Sequence, residues 1–172
     1  MARNETNLKK IEMSYNLTKN RKFFKKARAI VIKDKKLLVI RVDYKNGHVH
    51  YLLPGGGVEG DEKIKQAIVR EAFEEYGAEV VPTKYLDKQY YNIELEYNGE
   101  KFVSHRVEYY YVCEVKNFSN KKTMGVGKEF VSSEKTYSKI ELSVEDILKL
   151  KPKDLNSMCE RTYNKLIEYL KK

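Results

Sequence analysis

The stretch LPGGGVEGDEKIKQAIVREAFEEYGAEV, residues 53–80, places three glycines before a segment with the hydrophobic spacing of a helix. That spacing predicts a helix from about residue 62 to residue 76, and Gly77 is the residue type that most often ends a helix. The glycines allow the backbone either to approach another group closely or to form a plain tight turn. This stretch therefore predicts a loop followed by a helix at the centre of the fold.

Three carboxylates crowd the last turn of this helix: Glu71, Glu74 and Glu75. At about 100° per residue they occupy one arc of about 100°, beside apolar residues of the earlier turns, and should face the protein body. Like charges at this spacing cost a few tenths of a kcal/mol, and the negative end of the helix dipole adds at most about 1 kcal/mol each. A divalent cation would offset that cost, and carboxylate oxygens suit Mg²⁺ or Mn²⁺ better than structural zinc. A solvated acidic patch is the alternative, since glutamate is a good helix former.

The spacing of the fixed residues in this stretch resembles the Nudix box. The pattern is G-x5-E-x7-R-E-U-x-E-E-x-G-U, where U is an apolar residue. It is matched by Gly56, Glu62, Arg70, Glu71, Glu74, Glu75 and Gly77, with Ala72 and Ala78 at the U positions. The resemblance implies an α/β fold, specifically a Nudix-like α/β/α sandwich with a mixed β-sheet. It also implies a metal-dependent pyrophosphohydrolase that cleaves a phosphoanhydride bond in a nucleoside diphosphate linked to another moiety.

The resemblance assigns roles to individual residues of the box. The metal ligands would be Glu71, Glu74, Glu75 and the backbone carbonyl near Gly56. Glu74 and Glu75 are also candidate catalytic residues, together with Arg70, which would orient the glutamates. Glu62 would support the loop or Arg70. The expected cofactor is Mg²⁺, with Mn²⁺ as an alternative, because phosphoanhydride hydrolysis needs charge neutralised on phosphate oxygens and a water made nucleophilic.

Candidates outside the box depend on strand and loop position. Glu129, in a polar loop, is the candidate for a catalytic base or additional ligand, although an ordinary surface glutamate fits this position as well. Glu108 and Glu114 alternate with the apolar residues of a strand and are expected to face solvent. Arg106 lies on the same side of that strand and is the candidate substrate-binding residue, since it could meet a phosphate. A solvated surface position is the alternative for Arg106.

The segments around the box predict strands, and the end of the chain predicts helices. Residues 27–44 read as a hairpin, residues 48–53 as a short strand, and Asn98-Gly99 as the turn of a second hairpin. Ser143 with Asp146 resembles a capping pair before a short helix, and a final amphipathic helix is predicted over residues 156–170. Strands that dominate the middle, with helices between and after them, indicate a sheet covered by helices.

Three further residues are expected in the core. His105 lies on the apolar face of its strand and is expected to be a buried, hydrogen-bonded histidine. Cys113 and Cys159 are far apart and lack metal-binding spacing, so both are predicted to be reduced core thiols.

The composition is that of a globular protein with one domain. The chain has 172 residues, of which 41% are hydrophobic and 34% charged, which is enough for a core without cross-links. Residues 1–21 are polar and predict an N-terminal extension, which could pack on a single domain formed by residues 22–172. No apolar run reaches the roughly 20 residues of a membrane span, and the N-terminus lacks the apolar core of a signal peptide. A cytoplasmic protein without a membrane partner is therefore expected.

The net charge of +9 bears on the choice of partner. It could attract a phosphate-bearing molecule, but lysines spread along the whole chain are more typical of solvated surface. A small-molecule nucleotide or diphosphate substrate is the expected partner, with nucleic acid less favoured. The alternative function is a non-catalytic Nudix-fold nucleotide sensor or RNA-binding module. The resemblance also leaves a homodimer open, because proteins of this family often dimerise.

Overall fold

The computed structural model describes residues 2–119 and 134–172. In chain order the elements are α1 (Ala2–Lys19), β1 (Phe24–Lys33), β2 (Lys36–Tyr44), β3 (Val49–Leu52), β4 (Gly55–Gly57), α2 (Ile64–Tyr76), β5 (Ala78–Tyr97), β6 (Glu100–Phe118), β7 (Lys135–Ser143), α3 (Val144–Leu148), a 3-10 turn (Pro152–Asp154) and α4 (Glu160–Leu170). The predicted helix of the box, both hairpins and the short capped helix are all present.

One mixed sheet organises these strands. Its main order is β3-β2-β1-β6-β5, with β4 beside β1 and β7 beside β2. β1 and β6 run parallel along Phe24 to Ile32, whereas the other pairs are antiparallel. The sheet is therefore mixed, as the resemblance to the Nudix box implies.

Helices cover both faces of the sheet. On one face, α2 buries Ala67, Ile68 and Ala72 against β1 residues such as Ala29 and Val31. On the other face, α3 and α4 bury a second cluster that includes Ile147, Leu166, Ile30 and Tyr110. The small side chains of α2 allow that helix to lie close to the sheet. This arrangement is the α/β/α sandwich that the resemblance implies.

The central position of β6 corrects two expectations about its side chains. The strand lies between β1 and β5, and its middle is covered on both faces, since Tyr110 is buried in one core cluster and Cys113 in the other. Glu108, expected to face solvent, is 3% exposed, whereas Glu114 further along is exposed. His105, expected in the core, is exposed near the hairpin end, where its Nδ1 lies 2.9 Å from the Asn92 side-chain oxygen. Alternation alone does not reveal where along a strand the covering helices end.

The C-terminal helix begins later than predicted. Asn156 and Ser157 have φ angles of 52° and 50°, which interrupt helical geometry, and Cys159 precedes the first turn at Glu160. Cys159 is exposed, so its predicted place in the core is wrong, whereas Cys113 is buried. The final helix is amphipathic as expected and buries Tyr163, Leu166 and Ile167.

The polar N-terminal segment forms α1, which packs against the β5–β6 hairpin. The Tyr15 ring lies 5.2 Å from the Tyr97 ring and 5.3 Å from the Phe102 ring, and the Tyr15 hydroxyl donates to Glu100 over 2.9 Å. None of the helices in the described residues is both long and apolar enough to cross a membrane.

Candidate active site

The helix α2 ends where the sequence predicts, which fixes the direction of its last turn. Gly77 follows it in the left-handed region at φ 73°, and its N–H donates to the Phe73 carbonyl over 2.9 Å. This geometry is favourable for glycine because it has no Cβ to clash. The chain then enters β5 directly, so α2 is tied to the sheet at the end that carries the glutamates.

Arg70 connects α2 to the loop before it. Its guanidinium donates to both carboxylate oxygens of Glu62, at 2.9 and 3.0 Å, and to the Gly57 carbonyl at 3.0 Å. The same group donates to Glu71 at 2.9 Å and to Glu74 at 3.2 Å. The hydrogen bond with Glu62 contributes most to the raised pKa of Arg70, and it also holds the pKa of Glu62 below its usual value. Arg70 therefore fixes the loop and two of the glutamates in one network.

Two glutamates of α2 line a cavity, and burial changes their acidity. Burial raises the pKa of Glu75 to about 7, against the opposing effects of the Gly55 N–H, which donates to it over 2.8 Å, and of Arg28. Burial also raises the pKa of Glu71, although Arg70 opposes that shift. We refer to Glu71 and Glu75 as the acidic pair. Glu74 is more exposed and is held by Arg70.

The glycines of β4 bring backbone against the acidic pair. A Cβ on Gly56 would lie 2.3 Å from the Glu71 carboxylate oxygen, and a Cβ on Gly55 would lie 2.1 Å from the Ala27 carbonyl oxygen. Real Cβ atoms do not make contacts this short. The Ala27 carbonyl is fixed in the sheet, so position 55 requires glycine, whereas a Cβ at position 56 would displace the Glu71 carboxylate. These glycines therefore serve a close approach, which is one of the two alternatives that the sequence leaves open.

The oxygen atoms at this place fit a small divalent cation. Within residues 2–119 and 134–172, no three acidic, histidine or cysteine side chains are already grouped as a metal site. However, Mg²⁺ commonly uses only one or two carboxylates and completes its shell with waters and substrate phosphates. The acidic pair, with the Gly56 backbone against Glu71, supplies hard oxygen donors of that kind.

The cavity beside the acidic pair is also lined by cations. It has a volume of about 420 Å³ and is bordered by the glycines of β4, by Phe24 and by residues from three other elements. We call its cations the basic cluster: Lys9, Lys10, Lys26, Arg28 and Arg106. A cavity that combines carboxylates with several cations is suited to a cation and a polyanion together.

Arg106 lies at this cavity, as a substrate-binding residue must. Its guanidinium lies 4.9 Å from the centre of the Phe24 ring and makes long hydrogen bonds, at 3.4 Å, to the hydroxyls of Ser14 and Ser104. The assignment of Arg106 to a phosphate remains a prediction.

A polar network under the cavity was not anticipated from the sequence. Arg28 donates to Glu108 over 2.5 Å and to the Leu53 and Gly55 carbonyls at 3.2 and 2.9 Å. Glu108 also accepts from the Tyr110 hydroxyl at 2.7 Å and from the Gln89 amide at 3.2 Å. The sequence does contain one indication of this network. Lys26 and Arg28 alternate with apolar residues in β1, and charged side chains inside a central strand need partners.

Lys26 belongs to the same region and was not anticipated either. Burial lowers the pKa of Lys26 to about 8, and the neighbouring charge of Arg28 adds to this effect. The lowered pKa means that nearby negative groups do not offset the cost of burying the Lys26 charge. An anion bound beside Lys26 would therefore be favourable.

The structure therefore brings together part of the predicted set. One cavity is lined by Glu71, Glu75, Gly56 and Arg106. Arg70 and Glu74 are not among its lining residues, but Arg70 donates hydrogen bonds to both Glu71 and Glu74. Glu129 lies outside the described residues. Glu114 is exposed and pairs with Lys116 at 3.5 Å.

A comparison with known protein families agrees with this fold and with the box. The family model described as the NUDIX domain matches residues 23–157, which is most of the chain. The chain belongs to the Nudix family. Members of this family generally use divalent metal ions.

Solved structures of known proteins share this fold at low sequence identity. A NUDIX hydrolase from Nitrosomonas europaea has a TM-score of 0.58 at 18% identity, over 86% of this chain and 88% of its own. The E. coli ORF135 protein has a TM-score of 0.51 at 20% identity, over 85% and 89%. An ADP-ribose pyrophosphatase from Streptococcus suis has a TM-score of 0.51 at 18% identity, over 87% and 92%. No curated protein matches the sequence.

Proposed function

We propose that this protein is a metal-dependent pyrophosphohydrolase that cleaves a phosphoanhydride bond in a nucleoside diphosphate linked to another moiety. The observation that supports this most directly is the cavity of about 420 Å³ shared by the acidic pair and the basic cluster. Carboxylates alone would repel a diphosphate, and cations alone would bind it without positioning a metal ion. The combination suits the chemistry of phosphoanhydride hydrolysis.

The acidic pair and the backbone near Gly56, together with Glu74, would hold Mg²⁺ or Mn²⁺. When bound, the metal supplies charge neutralisation on phosphate oxygens and lowers the pKa of water. Arg70 keeps the carboxylates oriented through its bonds to Glu62, Glu71 and Glu74. A supporting residue of this kind usually affects metal affinity or activity by about 10- to 100-fold.

The protein's own side chains provide the remaining functions. Lys26 and Arg106 line the cavity and would bind the phosphate oxygens. Glu75 lies at the same cavity, where it would hold the metal or accept a proton from the attacking water. Arg28, held by Glu108 and two carbonyls, would keep the floor of the cavity rigid and positive.

Hydrolysis of a substrate panel by the wild-type protein and by Glu75→Gln tests this function. The panel contains nucleoside triphosphates, nucleotide sugars and other diphosphate-linked compounds, each assayed with Mg²⁺, with Mn²⁺ and with EDTA. Turnover should require the metal, and the variant should lose at least about 100-fold in kcat, since proton transfer by a positioned group contributes about 10²–10⁴-fold. Phosphate and nucleoside monophosphate release are the readouts.

Glu114→Gln is the matched control, because this glutamate is exposed and pairs only at the surface with Lys116. It should retain wild-type turnover. Full activity of Glu75→Gln would refute the role of Glu75. If no compound is hydrolysed but nucleotide binding persists, the result favours the non-catalytic nucleotide sensor or RNA-binding module.

A further inference from the structure

The helix α1 lies outside the family domain but contributes to its cavity. The NUDIX domain match begins at residue 23, whereas α1 spans Ala2–Lys19. Lys9, Lys10 and Met13 of this helix line the same cavity as the acidic pair. The cavity therefore has one border that belongs to this chain's own N-terminal segment.

The helix is held in a fixed orientation at this border. The Ser14 hydroxyl is fully buried and accepts from Arg106, while Tyr15 packs its ring against Tyr97 and Phe102. Residues four apart lie on the same face of a helix, so Lys10 shares the face of Ser14 and Lys9 shares the face of Met13. Docking through Ser14 and Tyr15 therefore directs both lysines to the cavity.

With the two lysines the cavity is lined by five cationic side chains and by three glutamates, Glu59, Glu71 and Glu75. Neither Lys9 nor Lys10 forms an ion pair with any residue in the described part of the chain. Both are exposed, and no carboxylate in the described residues offsets their charge. Burial is the main cause of the lowered pKa of Lys26, and the charges of Arg28, Arg106 and Lys10 add to it in that order. An anion bound among these groups would relieve their mutual repulsion.

We propose that Lys9 and Lys10 are specificity-determining residues that bind a phosphate group of the substrate beyond the cleaved anhydride. This inference rests on the proposed function. The acidic pair with its metal, Lys26 and Arg106 suffice for a diphosphate, so the cations of α1 are available for additional negative charge. The protein therefore selects substrates whose second moiety is anionic, such as a further phosphate, over those in which it is a neutral sugar.

The first test compares substrate selectivity in the wild type and in the double variant Lys9→Gln/Lys10→Gln. For each protein, kcat/KM is measured for a nucleoside triphosphate and for a nucleotide sugar with the same base. The ratio of the two values should fall by about tenfold, because two exposed charge-assisted contacts each contribute a few-fold. The double variant Lys171→Gln/Lys172→Gln removes two adjacent exposed lysines at the other end of the chain and should leave the ratio unchanged.

The second test measures binding and does not need turnover. Calorimetry with Mg²⁺ compares an α,β-methylene nucleoside triphosphate with the corresponding α,β-methylene diphosphate. The wild type should bind the triphosphate analogue more tightly, and Lys9→Gln/Lys10→Gln should lose about tenfold of that preference. Thermal melting of each variant, monitored by circular dichroism, verifies that the fold is retained.

The outcomes separate this inference from the proposed function. If no substrate is hydrolysed but the binding preference depends on Lys9 and Lys10, the proposed function fails and the phosphate site stands. If hydrolysis follows the proposed function but both preferences are unchanged in the variant, the inference is overturned. Equal binding of the two analogues by the wild type also overturns it.

Discussion

At the residue scale, the buried ion pair of Arg28 and Glu108 shows how the site is supported from below. Burial would raise the pKa of Glu108, but the Arg28 charge and the Arg28 and Tyr110 hydrogen bonds outweigh it and hold the pKa below its usual value. Burial opposes the charge of Arg28 as well, yet Glu108 raises the pKa of Arg28 overall. The two groups are charged because each compensates the other, so neither can be removed alone without cost.

Glu108→Gln is expected to destabilise the protein by about 3–5 kcal/mol, because it leaves the buried Arg28 charge without a partner. Urea unfolding at pH 7, followed by circular dichroism, measures the loss. The double variant Arg28→Met/Glu108→Leu removes both charges and should be less destabilised than Glu108→Gln. A double variant that is as unstable as the single one would show that the cost is one of packing and not of the unpaired charge.

The same pair gives a pH dependence with a definite sign. A carboxyl group whose folded pKa is lowered contributes stability above its unfolded pKa, near 4.5, and that contribution disappears as the pH falls through the folded value. The unfolding free energy of the wild type should therefore decrease below about pH 4.5 more steeply than that of Glu108→Gln. Parallel curves for the two proteins between pH 3 and pH 7 would contradict this.

At the element scale, the contact of β4 with α2 determines where the acidic pair lies. Gly56 is paired with Ala27 of β1, and the space where its Cβ would be is taken by the Glu71 carboxylate. A short strand of the sheet and the last turn of a helix thus meet without an intervening side chain. The position of the Glu71 carboxylate depends on this contact.

Gly56→Ala should reduce kcat/KM by about 10- to 100-fold, because displacement of a positioned group by about 1 Å can cost about 100-fold. The Cβ would lie 2.3 Å from the carboxylate oxygen, and the flexible end of Glu71 can move away, so the fold should be retained. Steady-state kinetics and thermal melting measure the two effects.

Gly47→Ala is the control for the backbone. Gly47 has a φ of 83°, and apart from its chain neighbours no atom of the described residues lies within 4 Å of the point that a Cβ would occupy, so alanine there adds strain without crowding. It should lower stability by about 1–2 kcal/mol and leave kcat/KM unchanged. Wild-type kcat/KM in Gly56→Ala would mean that the Glu71 position is not required for activity.

The elements that could be predicted are those that local sequence determines. The helix of the box, its stop at Gly77 and the turn at Asn98-Gly99 each depend on residues within one segment. The burial of Glu108 and the exposure of His105 depend on which strands lie beside β6 and where the helices cover it. Those are long-range contacts, which alternation within one strand does not encode.

Within the site, the same division holds. The box places Glu71, Glu75 and Gly56 in one short stretch of sequence, so their meeting at the cavity could be anticipated. Arg28 and Lys26 come from β1, and the parallel pairing of β1 with β6 sets Lys26 beside Glu108 in the sheet. No local pattern indicates a parallel pairing across about 80 residues, which is why the floor of the cavity could not be predicted.

At the scale of the whole molecule, the cavity lies where α1, β1, β4, α2 and β6 meet. The sheet positions four of these elements, whereas among the described residues α1 contacts the sheet through side chains. Its main anchor is Tyr15 on the β5–β6 hairpin, together with Ser14 on Arg106. The side of the cavity that α1 forms therefore depends on a small number of contacts.

Tyr15→Ala is expected to loosen α1 while the sheet and its core remain intact. The substitution removes two ring contacts and the hydroxyl bond to Glu100, and all of them lie outside both hydrophobic cores. A segment held by few buried apolar contacts opens locally at low free energy. Hydrogen exchange of the amides in α1 should accelerate by about tenfold or more, since one aromatic pair contributes about 0.5–1.5 kcal/mol beyond its buried area.

Tyr15→Phe is the matched control for this change, because it keeps both ring contacts and removes only the hydroxyl that donates to Glu100. It should change exchange in α1 by a few-fold at most, since an exposed hydrogen bond contributes little. Exchange in α2 and the central strands should be unaffected in both variants. Acceleration that extends through β1 and α2 in Tyr15→Ala would show that α1 is part of the cooperative core. In that case α1 would unfold together with the core of the domain and not independently of it.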